Sequence, residues 1–466
     1  MHNQPDFRTN LCFEALWDTK KWFEPAFVQL NSEGCILSIS EESKTQEPTE
    51  TIRGFVIPGH NNAHSHAFQR AMAGWCEKKQ MQQDSFWSWR TQMYNLAGKI
   101  TPEINRKICQ WLYIECLESG FTSHCEFHYL HKPHCSSENN KDQLSAALEM
   151  ANSVIESAKK VKMPLCLMPV LYQQSEPFKP CTELQKPFVF EDVENYLELL
   201  DSIKGVNVAL SLHSLRAVKE ESLTVLSEFL AQSGRQELPV HIHISEQPLE
   251  VAQIQSAYGA SPLEYLNSRI ALDSRWNMVH ATHFSNLELE IAIKNRCNVV
   301  LCPITEANLG DGVFNLRPFY QGDGSFTVGS DSNVMIDPFQ ELAILEYGQR
   351  LTSGQRITVS DSVSGSCAEA LVSRVQQSAE ASCGIKLGLL KKGYLANFLR
   401  LNNNHPSLLE VDETSLLDAI IFAAGKSCLT EVYVNGDCLV KDGKHKMRDE
   451  TFLEYKECIK SLRSVI

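Results

Sequence analysis

The chain has 466 residues, of which 43% are hydrophobic and 21% are charged, and its formal net charge at pH 7 is -14. This composition is that of a globular protein, with one large domain and an accessory unit or with about two or three ordinary domains. The negative charge argues against a nucleic-acid or anionic-membrane partner, because both require a basic face.

The N-terminus, MHNQPDFRTN, lacks the apolar core of a signal peptide. No apolar run in the chain reaches the roughly 20 residues that a membrane-spanning helix needs. The sixteen cysteines form no CxxC pair, and several of them, such as Cys166, Cys297 and Cys302, lie in apolar, strand-like runs. We therefore expect reduced, mostly buried thiols and a cytoplasmic location, with disulfide bonding as the alternative.

The first part of the chain, residues 1–53, contains short alternating segments separated by Gly, Asn and Ser: LCFEALW, AFVQLN and GCILSIS. Such segments predict small β-strands and hairpins. The polar stretch EESKTQEPTET then leads to the main domain, which we place at residues 54–380.

In the main domain, short apolar strands alternate with amphipathic segments of helix length. The predicted strands are FVIPG (55–59), FTSHCEF (121–127), PLCLMPVLY (164–172), VNVALSLH (206–213), PVHIHIS (239–245), NMVHATH (277–283), NVVLCP (298–303) and SFTVGSD (325–331). Between them, TPEINRKICQWLYIECLESG opens on a helix N-cap signal. Eight alternations predict a parallel sheet closed into a (β/α)₈ barrel. The alternative is an open doubly wound sheet, which no glycine-rich phosphate loop supports.

The last part of the chain, residues 381–466, returns to short strands with an Asn-Gly turn: GYLANFLRL, EVYVNGD and CLVKDGKH. Strands at both ends of the chain predict one small domain assembled from the two termini. The predicted fold is therefore α/β, a TIM-like barrel flanked by a small β-sandwich domain.

Five of the eight predicted strands end in histidine or aspartate. These residues are His64 and His66, His213, His241 and His243, His280 and His283, and Asp331. In a barrel the active site lies at the C-terminal ends of the strands, so we expect these side chains to converge. Neutral imidazole is the commonest protein metal ligand, and the two histidines of an HxH segment face the same side of an extended chain. The whole pattern predicts a metal site, whereas the HxH pair alone is weak evidence for one.

The predicted site holds one zinc ion. Its expected ligands are His64, His66, His243 and Asp331, which leave a position for water. We prefer His243 to His241 because His243 is closer to the strand end, whereas His241 is expected to pack in the core. No carboxylate or lysine marks the end of the fourth predicted strand, which favours a mononuclear site.

Three side chains at these strand ends suit acid–base chemistry. Zinc lowers the pKa of a bound water to roughly 7. Asp331 can accept a hydrogen bond from that water, and Glu246 can take its proton and pass it to a leaving nitrogen. His280 can orient or polarise the group that is attacked.

This pattern resembles that of the amidohydrolase superfamily: HxH on the first strand, His with Glu three residues later on the fifth, His on the sixth and Asp on the eighth. Longer segments are similar to the formimidoylglutamate deiminase family: NAHSHAFQRAMAGW, DSFWSWR, CEFHYLH, HSLRAV, HIHISEQ, VHATH, LCPITEANLGDGVF and GSDSNV. These segments run from residue 61 to residue 334, and the flanking β-strands are less similar.

The resemblance implies a hydrolase that converts N-formimino-L-glutamate to N-formyl-L-glutamate and ammonia in histidine degradation. It implies zinc ligands at His64, His66, His243 and Asp331, and an acid–base pair at Glu246 and His280. It also implies substrate contacts from Gln69, Arg90, Tyr129, His213 and Arg216. The substrate carries two carboxylates, and guanidinium groups bind carboxylates bidentately, which suits Arg216 and Arg90.

The sequence departs from this family in two places. After Tyr129 it continues with HKPHC, where the family has paired histidines and an aspartate, so the conformation of this loop stays open. In the late strand, Ala396-Asn397 stands where the family has Ala-Asp, away from the chemistry.

Several alternatives remain open at this point. A deaminase of a purine, pyrimidine or triazine ring would use the same scaffold, and a non-catalytic barrel is the alternative of another class. An alternative interpretation of Arg90 is a surface residue whose side chain lies over the aromatic rings of FWSW. The sequence does not fix the metal or the oligomeric state, for which a homodimer is one option.

Overall fold

The structure is a computed structural model that describes residues 7–42, 48–78, 86–132 and 143–464. Of the segment HKPHC after Tyr129, His131 and Lys132 are described, and residues 133–135 lie outside the described part of the chain.

The strands are numbered along the chain. They are β1 (Phe7–Trp17), β2 (Trp22–Phe23), β3 (Ala26–Asn31), β4 (Ile36–Ser40), β5 (Glu50–Pro58), β6 (His60–Ser65), β7 (Phe121–His128), β8 (Leu165–Leu171), β9 (Asn207–Val208), β10 (Leu210–Ser214), β11 (Val240–Ile244), β12 (Trp276–His280), β13 (Asn298–Leu301), β14 (Ser325–Val328), β15 (Phe398–Leu401), β16 (Leu429–Val434), β17 (Asp437–Lys441) and β18 (Lys444–His445).

The helices are α1 (Phe86–Ala97), α2 (Pro102–Ser119), α3 (Gln143–Val161), α4 (Val193–Ser202), α5 (Glu220–Leu230), α6 (Pro248–Tyr258), α7 (Pro262–Arg269), α8 (Asn286–Lys294), α9 (Pro303–Leu309), α10 (Leu316–Gln321), α11 (Pro338–Ser353), α12 (Cys367–Cys383), α13 (Glu413–Ala419) and α14 (Arg448–Arg463). The predicted cap of α2 is confirmed, because the Thr101 side chain accepts a hydrogen bond from the Ile104 amide. At the other end, Gly120 adopts a left-handed conformation that stops the helix. No helix among the described residues is both long enough and apolar enough to cross a membrane.

Eight parallel strands form the predicted barrel, which is confirmed. Their order in the sheet is β6-β7-β8-β10-β11-β12-β13-β14, with the short β9 beside β8. Strands such as β8 are buried along their whole length, as expected where helices cover the outer face and side chains fill the interior. The barrel closes between β14 and β6 through a bridge between Ser65 and Asp331.

The first barrel strand differs from the prediction. The sequence predicts FVIPG (55–59) as that strand, but Phe55–Pro58 belongs to β5, which pairs with β1 and β15 in a separate sheet. The barrel begins instead with the polar segment HNNAHS of β6, so His64 lies on a barrel strand and His66 directly follows it. Polar residues are tolerated there because they are paired: the Asn62 amide donates to Ser330 Oγ at 2.7 Å and the Asn61 amide to Ser382 Oγ at 2.8 Å.

Strands from both termini form the second sheet, as predicted. Its order is β18-β17-β16-β15-β5-β1-β3-β4, and β2 pairs with the end of β1. This sheet has a hydrophobic core of its own, in which Phe13 and Phe398 are fully buried and contact each other edge to face. None of the fifteen cysteines among the described residues forms a disulfide, and ten of them are buried.

Gly329 provides a test of how tightly the barrel closes. A Cβ atom at this position would lie 2.6 Å from both the amide nitrogen and the carbonyl oxygen of His64. Backbone atoms cannot move aside easily, so we expect Gly329→Ala to lower the free energy of unfolding by about 1–3 kcal/mol. Thermal unfolding followed by circular dichroism measures this change.

The matched control is Gly98→Ala, where the nearest atoms would be 3.7 Å from the new Cβ. We expect this variant to unfold within about 0.5 kcal/mol of the wild type, as surface substitutions usually do. Equal stability of the two variants would contradict the described closure.

Candidate metal centre and active site

Four side chains from three strand ends meet at the closure of the barrel. His64 and His66 come from β6 and the turn after it, His243 comes from β11, and Asp331 follows β14. The Nε2 atom of His64 lies 3.2 Å from Nε2 of His66 and 3.0 Å from Nε2 of His243. The Oδ1 atom of Asp331 lies 3.2 Å from Nε2 of His66 and 3.5 Å from Nε2 of His64. All four residues are buried, and their donor atoms form one group that can hold a metal ion.

Hydrogen bonds on the far side of two rings set their orientation. Nδ1 of His66 lies 3.0 Å from the Phe127 carbonyl oxygen, and Nδ1 of His243 lies 2.9 Å from the His213 carbonyl oxygen. A carbonyl only accepts, so in both rings Nδ1 carries the proton and Nε2 has a lone pair directed at the centre. Burial lowers the pKa of His64 and of His243 well below the usual value, which keeps both imidazoles neutral, as metal ligands must be.

The donor set fits a zinc-type ion. Three neutral nitrogens and one carboxylate oxygen are ligands that zinc accepts at about 2.0–2.2 Å. Four such ligands in a tetrahedron would be roughly 3.3–3.6 Å apart. The separations of 3.0–3.5 Å between neighbouring donor atoms are close to that spacing.

Glu246 and His280 lie beside this group. Oε1 of Glu246 is 3.6 Å from Nε2 of His280, and the same nitrogen is 4.0 Å from Oδ2 of Asp331. Burial raises the pKa of Glu246 to about 7, so its carboxyl group can both take up and release a proton near neutral pH. Burial lowers the pKa of His280, but the surrounding carboxylates outweigh it and raise the pKa well above the usual value.

Three acidic residues of this region were missed by the sequence analysis. Oε1 of Glu306, on α9, lies 3.2 Å from Nδ1 of His280 and accepts a hydrogen bond from the Cys302 amide at 2.9 Å. The Glu250 carboxylate accepts hydrogen bonds from the backbone amides of residues 245 and 246. Asp311 accepts a hydrogen bond from the Gln247 side chain, and burial and Glu246 raise its pKa to about 9.

A cleft of about 630 Å³ opens from the metal group, and all five predicted substrate contacts line it: Gln69, Arg90, Tyr129, His213 and Arg216. The Gln69 amide donates to the Tyr129 hydroxyl at 2.8 Å, and the Tyr129 ring packs edge-on against His66. The structure therefore brings together the four predicted metal ligands, the predicted acid–base pair and the five predicted substrate contacts; His64 belongs to the metal group, and the others line the cleft. His241 lies elsewhere, with Nε2 2.8 Å from the Ser382 carbonyl oxygen in the barrel core.

The two arginines of the cleft have no acidic partner within 4 Å among the described residues. Arg216 is 5% exposed, and its Nη1 donates to the Ser175 carbonyl oxygen at 2.5 Å. Arg90 lies 4.3 Å from the centre of the Trp87 ring, and its Nη1 is buried without a hydrogen-bond partner. The sequence-based alternative, an arginine lying over aromatic rings, thus describes part of its environment, but the same guanidinium also lines the cleft.

Comparison with known proteins agrees with this geometry. A model of the amidohydrolase family matches residues 55–439. The chain belongs to the amidohydrolase family. The chain is a hydrolase that acts on carbon–nitrogen bonds.

Three relatives illustrate the similarity. A formimidoylglutamate deiminase of Pseudomonas aeruginosa is 36% identical over 434 residues, which are 91% of this chain and 93% of that protein. A 5-methylthioadenosine/S-adenosylhomocysteine deaminase of Pyrococcus furiosus is 24% identical over 399 residues, 84% of each chain. The crystal structure of an amidohydrolase from Brucella melitensis is 33% identical and superimposes with a TM-score of 0.88 over 98% of this chain and 100% of that one.

The two histidines of β11 allow a matched test of the metal group. His243→Ala removes one of the four donor atoms, so we expect the bound metal to fall well below one ion per chain. His241→Ala alters the same strand one layer deeper, and we expect it to lower stability but to retain the metal. Elemental analysis of both purified variants measures the difference, and equal metal loss in the two would contradict the assignment.

Proposed function

We propose that the protein is a zinc-dependent formimidoylglutamate deiminase, which hydrolyses N-formimino-L-glutamate to N-formyl-L-glutamate and ammonia in the cytoplasmic degradation of histidine. The observation that carries the proposal is the pair of guanidinium groups, Arg90 and Arg216, which line one cleft and have no carboxylate within 4 Å among the described residues. The 36% identical deiminase of Pseudomonas aeruginosa supports the same substrate.

The two arginines select for a dianion. A buried charge without a partner is unfavourable, and two neighbouring guanidinium groups also repel each other. Burial and the nearby Arg216 both lower the pKa of Arg90, so the charged form of this side chain is disfavoured. A substrate with two carboxylates supplies one partner for each cation, so an acidic protein can bind it tightly.

The rival substrates fit this cleft less well. A purine, pyrimidine or triazine ring is neutral and would leave both guanidinium groups without a counter-charge. A non-catalytic barrel would not need the complete set of donors and acid–base groups around Glu246 and His280. The similarity to the Pyrococcus furiosus deaminase is therefore best explained by a shared scaffold and shared hydrolytic chemistry.

The chain's own groups account for the proton transfers of the reaction. Zinc held by His64, His66, His243 and Asp331 would supply Lewis acidity and lower the pKa of a water molecule. Glu246 takes a proton from the attacking water, whose oxygen adds to the formimino carbon, and delivers it to the imino nitrogen. It then takes the proton of the new hydroxyl group and passes it to the same nitrogen, which leaves as ammonia.

His280 and its partner complete this arrangement. Glu306 fixes the ring through Nδ1, so that Nε2 faces the space between Glu246 and Asp331. From there His280 donates a hydrogen bond to the oxygen that becomes the formyl group, and it stabilises the charge that develops on it. The carbon–nitrogen bond breaks as the carbon–oxygen double bond forms.

Glu246→Gln tests the proton transfer. Glutamine keeps the shape of the side chain but cannot accept the proton, so we expect kcat to fall by at least about 10²-fold. Metal content should stay at the wild-type level, because Glu246 is not among the four donors. Glu221→Gln, an exposed residue of α5, is the control and should keep wild-type activity. Near-normal turnover by Glu246→Gln would exclude this residue as the proton carrier.

Arg216→Met tests the substrate class. The variant leaves a desolvated carboxylate without its partner, so kcat/KM for formimidoylglutamate should fall by about 10²-fold or more. A neutral formimino compound without carboxylates should be a poor substrate of the wild type and should be little affected by the substitution. Measuring the pair of kcat/KM values for both proteins decides the question.

The control for this test is Arg106→Met on α2, where the arginine pairs with Glu103 on the outer surface. It should leave both kcat/KM values unchanged. Equal losses for the charged and the neutral substrate in Arg216→Met would mean that the arginine is structural.

A further inference from the structure

Two tyrosines lie next to the arginines of the cleft. Tyr94, on α1, lines the cleft, whereas Tyr172, directly after β8, is 1% exposed and lies behind it. Their hydroxyl oxygens are 3.4 Å apart, and either could donate to the other. The direction of this hydrogen bond decides which tyrosine has a free proton.

Gln185 fixes that direction. Its side-chain oxygen accepts hydrogen bonds from the Thr182 amide at 2.9 Å and from the Thr182 hydroxyl at 3.0 Å, so its amide nitrogen faces the tyrosines. That nitrogen donates to the Tyr172 hydroxyl at 2.6 Å and reaches the Tyr94 hydroxyl at 3.4 Å. The Tyr172 oxygen therefore accepts a hydrogen bond from Gln185.

The proton of the Tyr172 hydroxyl needs an acceptor, because a buried donor without one is strongly disfavoured. Among the described residues, the Tyr94 oxygen is the acceptor within reach. Tyr172 therefore donates to Tyr94. The Tyr94 oxygen is an acceptor in this pair, and its own proton has no protein acceptor in the described part of the chain.

Tyr94 shares the cleft with both cations. The guanidinium carbon of Arg90 is 5.4 Å from the centre of the Tyr94 ring, and Arg216 lines the same cleft. A ligand group that pairs with the Tyr94 hydroxyl and with both guanidinium groups must be a negatively charged hydrogen-bond acceptor. A carboxylate has this chemistry, because its two oxygens accept several hydrogen bonds at once.

We infer that Tyr94 is a substrate-binding residue, whose hydroxyl donates a hydrogen bond to a substrate carboxylate that also binds a guanidinium group of the cleft. The inference rests on the proposed function and extends it, because it adds a neutral donor to the two cations. Tyr172 and Gln185 act through Tyr94: they direct its proton into the cleft, and they are positioning residues.

Tyr94→Phe removes the hydroxyl and keeps the ring that packs against Phe188. In the metal-loaded variant, kcat/KM for formimidoylglutamate should fall by roughly 10- to 100-fold, the usual effect of losing a hydrogen bond to a charged group. Isothermal titration calorimetry with glutarate, a dicarboxylate of the same carbon length, should give a similarly weakened Kd. A neutral formimino compound without carboxylates should show an unchanged kcat/KM.

Tyr433→Phe is the matched control. Its hydroxyl is bonded to Glu50 and Glu431 in the terminal sheet, so both the kinetics and the glutarate Kd should stay at wild-type values.

The outcomes separate this inference from the proposed function. If Tyr94→Phe binds glutarate as tightly as the wild type, or loses activity equally on the neutral compound, the inference is wrong. If the wild type does not hydrolyse formimidoylglutamate but binds glutarate more tightly than Tyr94→Phe, the proposed function fails and the contact stands. A wild type that binds no glutarate, with equal KM values in both proteins, would overturn the contact.

Discussion

The site depends on the hydrogen bonds that join the last strand of the barrel to the first. The His66 amide donates to the Asp331 carbonyl oxygen at 2.9 Å, and the Asp331 amide donates to the His64 carbonyl oxygen at 2.9 Å. Asn333 locks this junction, because its side-chain amide donates to the His66 carbonyl oxygen at 3.0 Å. The same bonds close the barrel and set three of the four donor atoms at ligand spacing. They also hold Asp331 at a φ of 46°, a left-handed conformation that a non-glycine residue adopts only when its surroundings enforce it.

Burial disfavours the charged form of both acidic and basic side chains in the cleft that opens from this junction. At Glu246 it raises the pKa to about 7, so that the carboxyl group can exchange protons near neutral pH. At Arg90 it lowers the pKa and so disfavours the charged form, which a substrate carboxylate would offset in the function we propose. In that proposal, the proton chemistry and the choice of substrate have one physical origin, the removal of water from charged groups.

The sequence predicts most of the fold and the gathering of the site residues, because strands and helices alternate with a clear period and the strand ends of a barrel converge. It fails at the first barrel strand, because HNNAHS is polar and only partners such as Ser330 and Ser382 make its burial tolerable. It also misses Glu306, which reaches His280 from a helix after the seventh strand. Contacts of this kind depend on how loops and short helices pack against the barrel, and no local sequence pattern predicts them.

The most direct test follows the products formed by the purified, zinc-loaded protein from N-formimino-L-glutamate, using proton NMR and an ammonia assay. If two guanidinium groups select the dianion and Glu246 moves the proton, each substrate molecule consumed should give one N-formyl-L-glutamate and one ammonia. The central claim would be contradicted if the protein released no ammonia from this substrate but deaminated 5-methylthioadenosine or S-adenosylhomocysteine.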